Sequence, residues 1–301
     1  MRDAADSSII AVGLGEVLWD LLPAGKQLGG APGNFAYHAQ ALGAKAYVVS
    51  AVGRDDLGME IRRRLAGLSL DTSYLEIDAK HPTGTVSVQV DGAGVPSYVI
   101  HENVAWDFIR ASPRLDELAS RTDVVCFGSL AQRWPVSCIC IQQFLRAMRP
   151  EALRIFDVNL RQNFYDESVI STSVHLANVI KMNDQEVPLI GRTLDCPVDE
   201  DSLVKIFLEH LPIRLVAITR GSKGSSLYTK EETSHHPGYP PGKLVDTIGA
   251  GDAFTAAVAM GLLHRRSLDQ INDAANRLAS YVCTQPGATP LVPSELVAAI
   301  A

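Results

Sequence analysis

The chain has 301 residues, of which 47% are hydrophobic and 20% are charged, and its formal net charge is −7. This composition is typical of a globular protein and leaves room for one large α/β domain or two modest ones. The negative net charge argues against a nucleic-acid partner, because nucleic acids usually bind a basic face.

The sequence predicts neither a targeting segment nor a membrane span. The charged residues of Met1–Asp6 are not followed by an apolar core, so we expect no signal peptide. The apolar stretch Ala253–Leu263 is shorter than the roughly 20 residues that a membrane helix needs. The five cysteines form no repeated pair, which favours reduced thiols. We therefore expect a cytoplasmic protein that does not associate with membranes.

Short β-branched runs alternate with amphipathic helical patterns along the chain. The predicted strands are Ile9–Val12, Tyr47–Ala51, Val124–Phe127, Ile155–Val158, Val179–Met182 and Leu215–Thr219. The predicted helices are Asn34–Leu42, Leu57–Leu68, Val136–Met148, Val169–Ala177 and Leu203–His210, followed by Ala253–Leu263. This alternation predicts an α/β fold in which a mostly parallel sheet is covered by helices on both faces.

Two stretches interrupt the alternation with hairpin-like patterns that have one polar face. They lie at about 17–30 and 83–107, and the second has a polar turn around 91–94. We expect them to form a small antiparallel sheet that projects from a single domain spanning 1–301. Such a sheet could act as a lid over a ligand bound at the carboxyl ends of the parallel strands.

The glycine-rich segment Asp246–Asp252 precedes the strongly helical run that ends at Leu263. Glycines let the backbone approach a ligand, and a helix start favours an anion. By itself, Asp252 fits equally well as a helix-capping residue or as the base of a phosphoryl-transfer site. The segment is not a Walker A loop, and Gly13-Leu14-Gly15 lacks the third glycine of a dinucleotide fingerprint.

The segment Asp246–Phe254 resembles the C-terminal signature of the ribokinase-like (PfkB) carbohydrate kinases. Gly29–Ala36, followed by Leu42-Gly43 and Val52–Gly58, resembles the N-terminal signature of the same family. The two signatures have the order and separation that the family uses. The resemblance implies a ribokinase-like fold and an enzyme that transfers a phosphoryl group from ATP to an alcohol group of a carbohydrate.

The resemblance also implies roles for individual residues. Asp252 is expected to be the general base, next to an anion hole formed by Gly249, Ala250 and Gly251. The expected substrate-binding residues are Asp20, Gly30, Asn34, Asn103, Arg161 and Asp252. Without the resemblance, Asn34 would fit a helix N-cap and Arg161 a surface ion pair.

The resemblance places further residues on the nucleotide side. The expected ATP-binding residues are Asn183, Thr219, Gly221, Gly224, Gly249, Gly251 and Asn276. Glu186 is expected to hold Mg²⁺ through water, and Asp246 with Gly287 to form a monovalent-cation site for K⁺ if this member needs one. Read alone, Glu186 would be a first-turn acid at a helix start, and the Thr219–Gly224 turn an ordinary glycine hairpin.

The motifs Gly15–Asp20 and Leu28–Pro32 are most similar to the fructokinase branch of the family. Fructose is therefore the first expectation for the substrate, with ribose, 2-keto-3-deoxygluconate and a nucleoside as alternatives. A non-catalytic sugar- or nucleotide-binding protein is a further alternative, although the base and the anion-hole glycines are all present. The resemblance also implies a homodimer formed through the lid.

Overall fold

The computed structural model describes residues 8–22, 25–90, 96–240 and 242–300. The segment Met1–Asp6 and the polar turn at 91–94, on which two expectations rest, lie outside the described residues.

The strands and helices are numbered in chain order. The strands are β1 (Ile10–Leu14), β2 (Leu18–Leu22), β3 (Gly25–Gly29), β4 (Lys45–Gly53), β5 (Leu75–Asp78), β6 (Gly84–Val90), β7 (Pro96–Ile100), β8 (Val124–Phe127), β9 (Leu153–Asp157), β10 (Val179–Asn183), β11 (Leu215–Thr219), β12 (Ser225–Tyr228) and β13 (Thr233–His236). The helices are α1 (Ala31–Ala41), α2 (Asp56–Gly67), α3 (Pro113–Arg121), α4 (Pro135–Ala147), α5 (Glu167–Leu176), α6 (Glu186–Thr193), α7 (Glu200–His210), α8 (Ala250–Leu263), α9 (Leu268–Cys283) and α10 (Ser294–Ala298).

The large sheet has nine strands in the order β13-β12-β11-β10-β9-β8-β1-β4-β5. The pairs from β11 through to β5 are all parallel, whereas β12 and β13 add an antiparallel edge. Strand β1 lies inside the sheet, with Val12 opposite both Tyr47 and Val125. The chain order reverses between β1 and β8, and ligands of open α/β sheets bind at such a switch point. The predicted mostly parallel α/β fold is confirmed.

Helices cover both faces of the large sheet, and each face has its own apolar core. Side chains such as Phe144 of α4 and Phe207 of α7 pack on one face. Phe35 of α1, Ile61 of α2 and Phe254 of α8 pack on the other. Within the described ranges, no helix has the length and apolarity to cross a membrane.

The four-stranded small sheet has the order β3-β2-β6-β7 and is mixed, although the sequence predicted an antiparallel sheet. Each of its two hairpins is antiparallel, but β2 and β6 pair in parallel, with Leu18 opposite Gly84. The reason is topological. Strand β2 follows β1 and strand β6 follows β5, so both leave the carboxyl ends of parallel strands in the same direction.

Candidate active site

Two cavities open at the carboxyl ends of the parallel strands. The cavity under the small sheet, here called the lid cavity, has a volume of about 460 Å³. The other, here called the outer cavity, has a volume of about 530 Å³ and lies along β11, α8 and α9. Lys181, Thr247 and Gly251 line both cavities. Two ligands that fill these cavities would therefore meet at the start of α8.

The predicted residues divide between the two cavities. Those that line the lid cavity are Asp20, Gly30, Asn34, Arg161, Gly249, Gly251 and Asp252. Those that line the outer cavity are Asn183, Thr219, Gly221, Gly224, Ala250, Gly251 and Asn276. Residues from distant parts of the sequence are thus brought together in two groups that touch at Gly251.

Asp252 lies in the first turn of α8, is half-buried and lines the lid cavity. Its Oδ2 accepts a hydrogen bond of 2.7 Å from Nδ2 of Asn34. The pKa of the Asp252 carboxyl is raised to about 6. Burial is the largest cause and the nearby charge of Asp157 adds to it, while Asn34, Lys181 and Arg161 lower the pKa. A carboxylate with a pKa near neutrality is suited to take a proton from a substrate hydroxyl.

The backbone at the start of α8 forms a concave turn that only small residues permit. Gly249 precedes the helix in a left-handed conformation with φ of 78°. A Cβ on Gly249 would lie 2.6 Å from the Cβ of Ala288, so the position has no room for a side chain. The first N–H groups of a helix have no intrahelical acceptor, and they favour an anion. Gly251, in this turn, lines both cavities, so those N–H groups lie where the two ligands would meet.

Lys181 is a site residue to which the sequence analysis assigned no role. It lies on β10, is 8% exposed, and its Nζ lies 3.1 and 3.2 Å from the two carboxylate oxygens of Asp157 at the end of β9. Thr255 of α8 donates a further hydrogen bond of 3.1 Å to Asp157. This cluster fixes α8 relative to β9 and β10, and it holds the ammonium group of Lys181 at the junction of the cavities.

The signal for Lys181 was present in the sequence. A lysine inside an otherwise apolar strand is rarely buried without a charged partner. Its partner Asp157 ends β9, and the tertiary structure was needed to show that β9 lies beside β10 in the sheet.

Under the lid, the site contains the carboxyl of Asp20 and a glycine, Gly30, that packs closely against another segment of backbone. Burial raises the pKa of the Asp20 carboxyl, and the charge of Arg161 opposes that rise. Gly30 has a φ of 116°, and a Cβ there would lie 2.5 Å from the carbonyl oxygen of Glu16. Gly30 is also the N-cap of α1, so Asn34 is not the cap and its amide is directed to Asp252 instead.

Three other residues near the lid lie outside the cavity walls. Asn103 is exposed on the turn after β7 and lines neither cavity, so its substrate-binding role stays a prediction. Trp19 and Trp106 are fully buried in the apolar cores. Neither tryptophan lines the lid cavity, whereas Tyr98 of β7 does.

Two of the residues expected to bind ATP lie in a tight glycine turn and in a hydrogen-bonded cluster. Gly224 has a φ of 82°, and a Cβ there would clash with the carbonyl oxygen of His236. Asn276 of α9 donates hydrogen bonds of 2.7 Å to the Ser225 hydroxyl and 2.8 Å to the Asn272 carbonyl. Asn276 therefore ties α9 to β12 where both border the outer cavity.

Glu186 and Asn183 bind each other at the end of β10. The Glu186 carboxylate accepts backbone N–H bonds of 2.8 Å from Leu160 and 2.8 Å from Asn183, and Asn183 Oδ1 accepts one of 2.9 Å from the Glu186 N–H. Glu186 lines neither cavity. Hard carboxylate and amide oxygens suit Mg²⁺, which often keeps several of its waters. The donor set therefore fits an ion held through water rather than by direct contact.

Asp246 and Gly287, predicted as a pair from distant segments, do lie together. The Asp246 carboxylate accepts backbone N–H bonds of 2.9 Å from Ile248 and 3.4 Å from Gly287. The loop that follows Gly287 is tied to α1, because Tyr37 donates to the Pro290 carbonyl at 2.9 Å and His38 Nε2 lies 2.9 Å from the Ala288 carbonyl.

Comparison with known proteins agrees with this geometry. The family model described as pfkB family carbohydrate kinase matches residues 23–295. A sugar kinase from Pyrococcus horikoshii is 30% identical over 276 residues, covering 87% of this chain and 83% of that protein. A fructokinase from Salmonella typhimurium is 29% identical over 261 residues, covering 83% of each.

Solved structures show the same architecture. The Pyrococcus horikoshii sugar kinase in complex with ATP superposes with a TM-score of 0.78 at 30% identity, covering 93% of this chain and 94% of that one. A fructokinase from Xylella fastidiosa with bound ATP gives a TM-score of 0.81 at 19% identity, which bears on the fold alone. The matching family model, the similar sequences and the shared fold establish that this chain belongs to the pfkB family of carbohydrate kinases.

Proposed function

We propose that the protein is an ATP-dependent fructokinase that phosphorylates a hydroxymethyl group of fructose. The observation that carries this proposal is the meeting of the two cavities at Gly251, one residue before Asp252, which lines the lid cavity. ATP in the outer cavity and a sugar in the lid cavity would bring the phosphoryl group and the accepting hydroxyl to the same helix start. The 30% identical relative whose structure holds ATP supports the choice of donor.

Each group at the junction has a role in this proposal. Asp252 accepts the proton of the sugar hydroxyl, and Asn34 holds the carboxylate in position through its hydrogen bond. The N–H groups of the Gly249–Asp252 turn and the ammonium of Lys181 stabilise the charge of the transferring phosphoryl group. The small sheet closes the lid cavity and excludes water that would otherwise compete as an acceptor.

Acidic residues beside the junction would hold the metal ions. Asn183 and Glu186 would hold Mg²⁺ through water, and this ion would neutralise charge on the phosphate oxygens. We also propose that Asp246 and the loop at Gly287 hold K⁺. Because Gly249 packs against Ala288 of the same loop, an ion there would stiffen the turn before α8.

Fructose is proposed for two reasons. The Gly15–Asp20 and Leu28–Pro32 motifs resemble the fructokinase branch, and a 29% identical relative is named fructokinase. Asp20 offers a charged acceptor to a diol, and such a group discriminates against substrates that lack the hydroxyls.

We further propose a cytoplasmic single-domain enzyme that forms a homodimer through the lid. The exposed apolar side chain of Leu21, at 37%, lies on the small sheet and supports the dimer. The five cysteines are all free, which suits a reducing compartment.

A coupled assay of ADP formation tests the proposed reaction. The purified protein would be supplied with ATP, Mg²⁺ and, in turn, fructose, ribose, 2-keto-3-deoxygluconate and nucleosides. We expect the highest kcat/KM with fructose. A higher value with another acceptor would replace fructose as the substrate, and no stimulation by any acceptor would contradict the kinase proposal.

A further inference from the structure

Glu16 is a buried acid of the lid cavity that the proposed mechanism does not use. It follows β1 at the switch point between β1 and β8, and it is only 4% exposed. It lines the lid cavity and also a narrow cavity beneath it that reaches Asp157. The backbone around it is tightly set, because a side chain at Gly30 would collide with the Glu16 carbonyl.

The two oxygens of the Glu16 carboxylate differ in their hydrogen bonding. Backbone N–H groups of Glu16 and Ala31 stabilise the charged form of the side chain. Its Oε2, however, is buried and has no hydrogen-bond partner within the described residues. A buried carboxylate oxygen without a donor is costly, so a ligand that brings a hydroxyl to this atom gains free energy of binding.

The charges around Glu16 favour an uncharged ligand. The titratable and charged groups that share its cavities are Asp20 on β2, Tyr98 on β7, Cys126 on β8, Asp157 on β9, Arg161 on the loop after β9, Lys181 on β10 and Asp252 on α8. Three of these groups are carboxyls and two are cations, and Lys181 is already paired with Asp157. A phosphate or carboxylate on the substrate would add a further negative charge to this set.

We propose that Glu16 is a second carboxylate of the substrate site, which accepts a hydrogen bond from a sugar hydroxyl other than the phosphorylated one and thereby restricts the site to uncharged polyols. This inference rests on the proposed function and names the substrate class and a specificity-determining residue of the same site.

The titration of Glu16 gives the proposal a pH signature. The pKa of its carboxyl is raised to about 7. Burial is the largest cause and the charge of Asp252 adds to it, while the backbone N–H groups and Arg161 lower the pKa. The charged form is the acceptor, so it is present above that pKa and is lost as the pH falls through it. Sugar binding should therefore weaken as the pH falls below about 7.

The test compares Glu16→Gln with Glu117→Gln, which removes an exposed carboxylate on α3. We expect Glu16→Gln to raise the KM for fructose by about tenfold, as for loss of a hydrogen bond to a charged group, with little change in kcat. In the wild type we expect the KM to rise as the pH falls from 8 to 6, and Glu16→Gln should abolish this rise. Glu117→Gln should match the wild type.

Several results would overturn the proposal. One is a Glu16→Gln variant that has the wild-type KM at every pH. Another is a variant that only melts at a lower temperature and keeps the pH dependence of KM, because that pattern is structural. If the variant does not fold, the proposal is tested by the KM of the wild-type enzyme. A wild-type KM that does not change between pH 6 and pH 8 contradicts the proposal.

The choice of substrate separates this inference from the proposed fructokinase activity. If another neutral sugar is preferred, fructose is wrong but the Glu16 inference is tested on that sugar. If fructose 6-phosphate or an acidic sugar is preferred over its neutral counterpart, the Glu16 inference is overturned while the protein remains a kinase.

Discussion

Asn34 on α1 donates a hydrogen bond of 2.7 Å to Asp252 on α8, although 218 positions separate the two residues in the sequence. Both side chains lie in the first turn of their helices, so two helix starts converge on one carboxylate. The bond lowers the pKa of Asp252 against the larger effect of burial. Asn34 thereby extends to lower pH the range in which Asp252 is ionised, which is the form that the proposed base requires.

Replacing Asn34 with alanine should shift to higher pH the range in which Asp252 is ionised. Because the lost hydrogen bond favours the charged carboxylate, the pKa of Asp252 should rise above its value of about 6. The acid limb of the kcat profile should shift to higher pH by the same amount. Gln40→Ala, on the same helix, is the matched control. An unmoved acid limb in Asn34→Ala would mean that Asp252 is not the group whose titration limits the rate.

Asp252→Asn should keep the fold and lose the reaction. The amide has the same shape but cannot accept the proton, so we expect kcat to fall by about a thousandfold. In the wild type, activity should fall as the pH drops through about 6, because the base works in its deprotonated form. Sugar phosphorylation would be followed by ADP release, with Asp116→Asn on α3 as control. Undiminished turnover would contradict the assignment of the base.

Lys181→Met should destabilise the protein because it leaves the Asp157 carboxylate buried without its cation. Loss of one partner of a buried pair typically costs about 3–5 kcal/mol of the free energy of unfolding. The double variant Asp157→Asn with Lys181→Met removes both charges and should recover much of this loss. Urea denaturation measures each variant.

The same pair of variants separates stability from catalysis. If Lys181 stabilises the transferring phosphoryl group, the double variant should be stable yet remain far less active than the wild type. Recovery of both stability and kcat in the double variant would show that Lys181 has only a structural role.

Gly249→Ala should distort the turn before α8. The added Cβ would lie 2.6 Å from Ala288, and the φ of 78° is unfavourable for alanine. We expect a large loss of kcat together with a lower melting temperature. Gly67→Ala at the end of α2 is the control, since no atom lies within 4 Å of the added Cβ. Equal effects in the two variants would exclude a specific role for the turn.

The parallel core was predictable because its signal is local. Each buried strand is a short apolar run, and each helix has its own apolar face, so the alternation could be identified without knowing any contact. Strands such as Val124–Phe127 and Leu215–Thr219 agree with the predicted bounds. The strand β5 and the helix α3 were not predicted, since β5 has charged residues at two of its four positions and α3 has a mostly polar surface.

The sequence by itself determined the α/β fold class and the identity of the glycine-rich helix start, because both depend on residues adjacent in the chain. Only the tertiary structure decided that the small sheet is mixed, that Lys181 pairs with Asp157, and that Glu16 has a buried oxygen with no hydrogen-bond partner in the part of the chain that the structure describes. These features arise where strands far apart in the sequence end at one edge of a sheet. There, burial and neighbouring charges set the pKa values and the unmet hydrogen bonds, and no local pattern of residues records them.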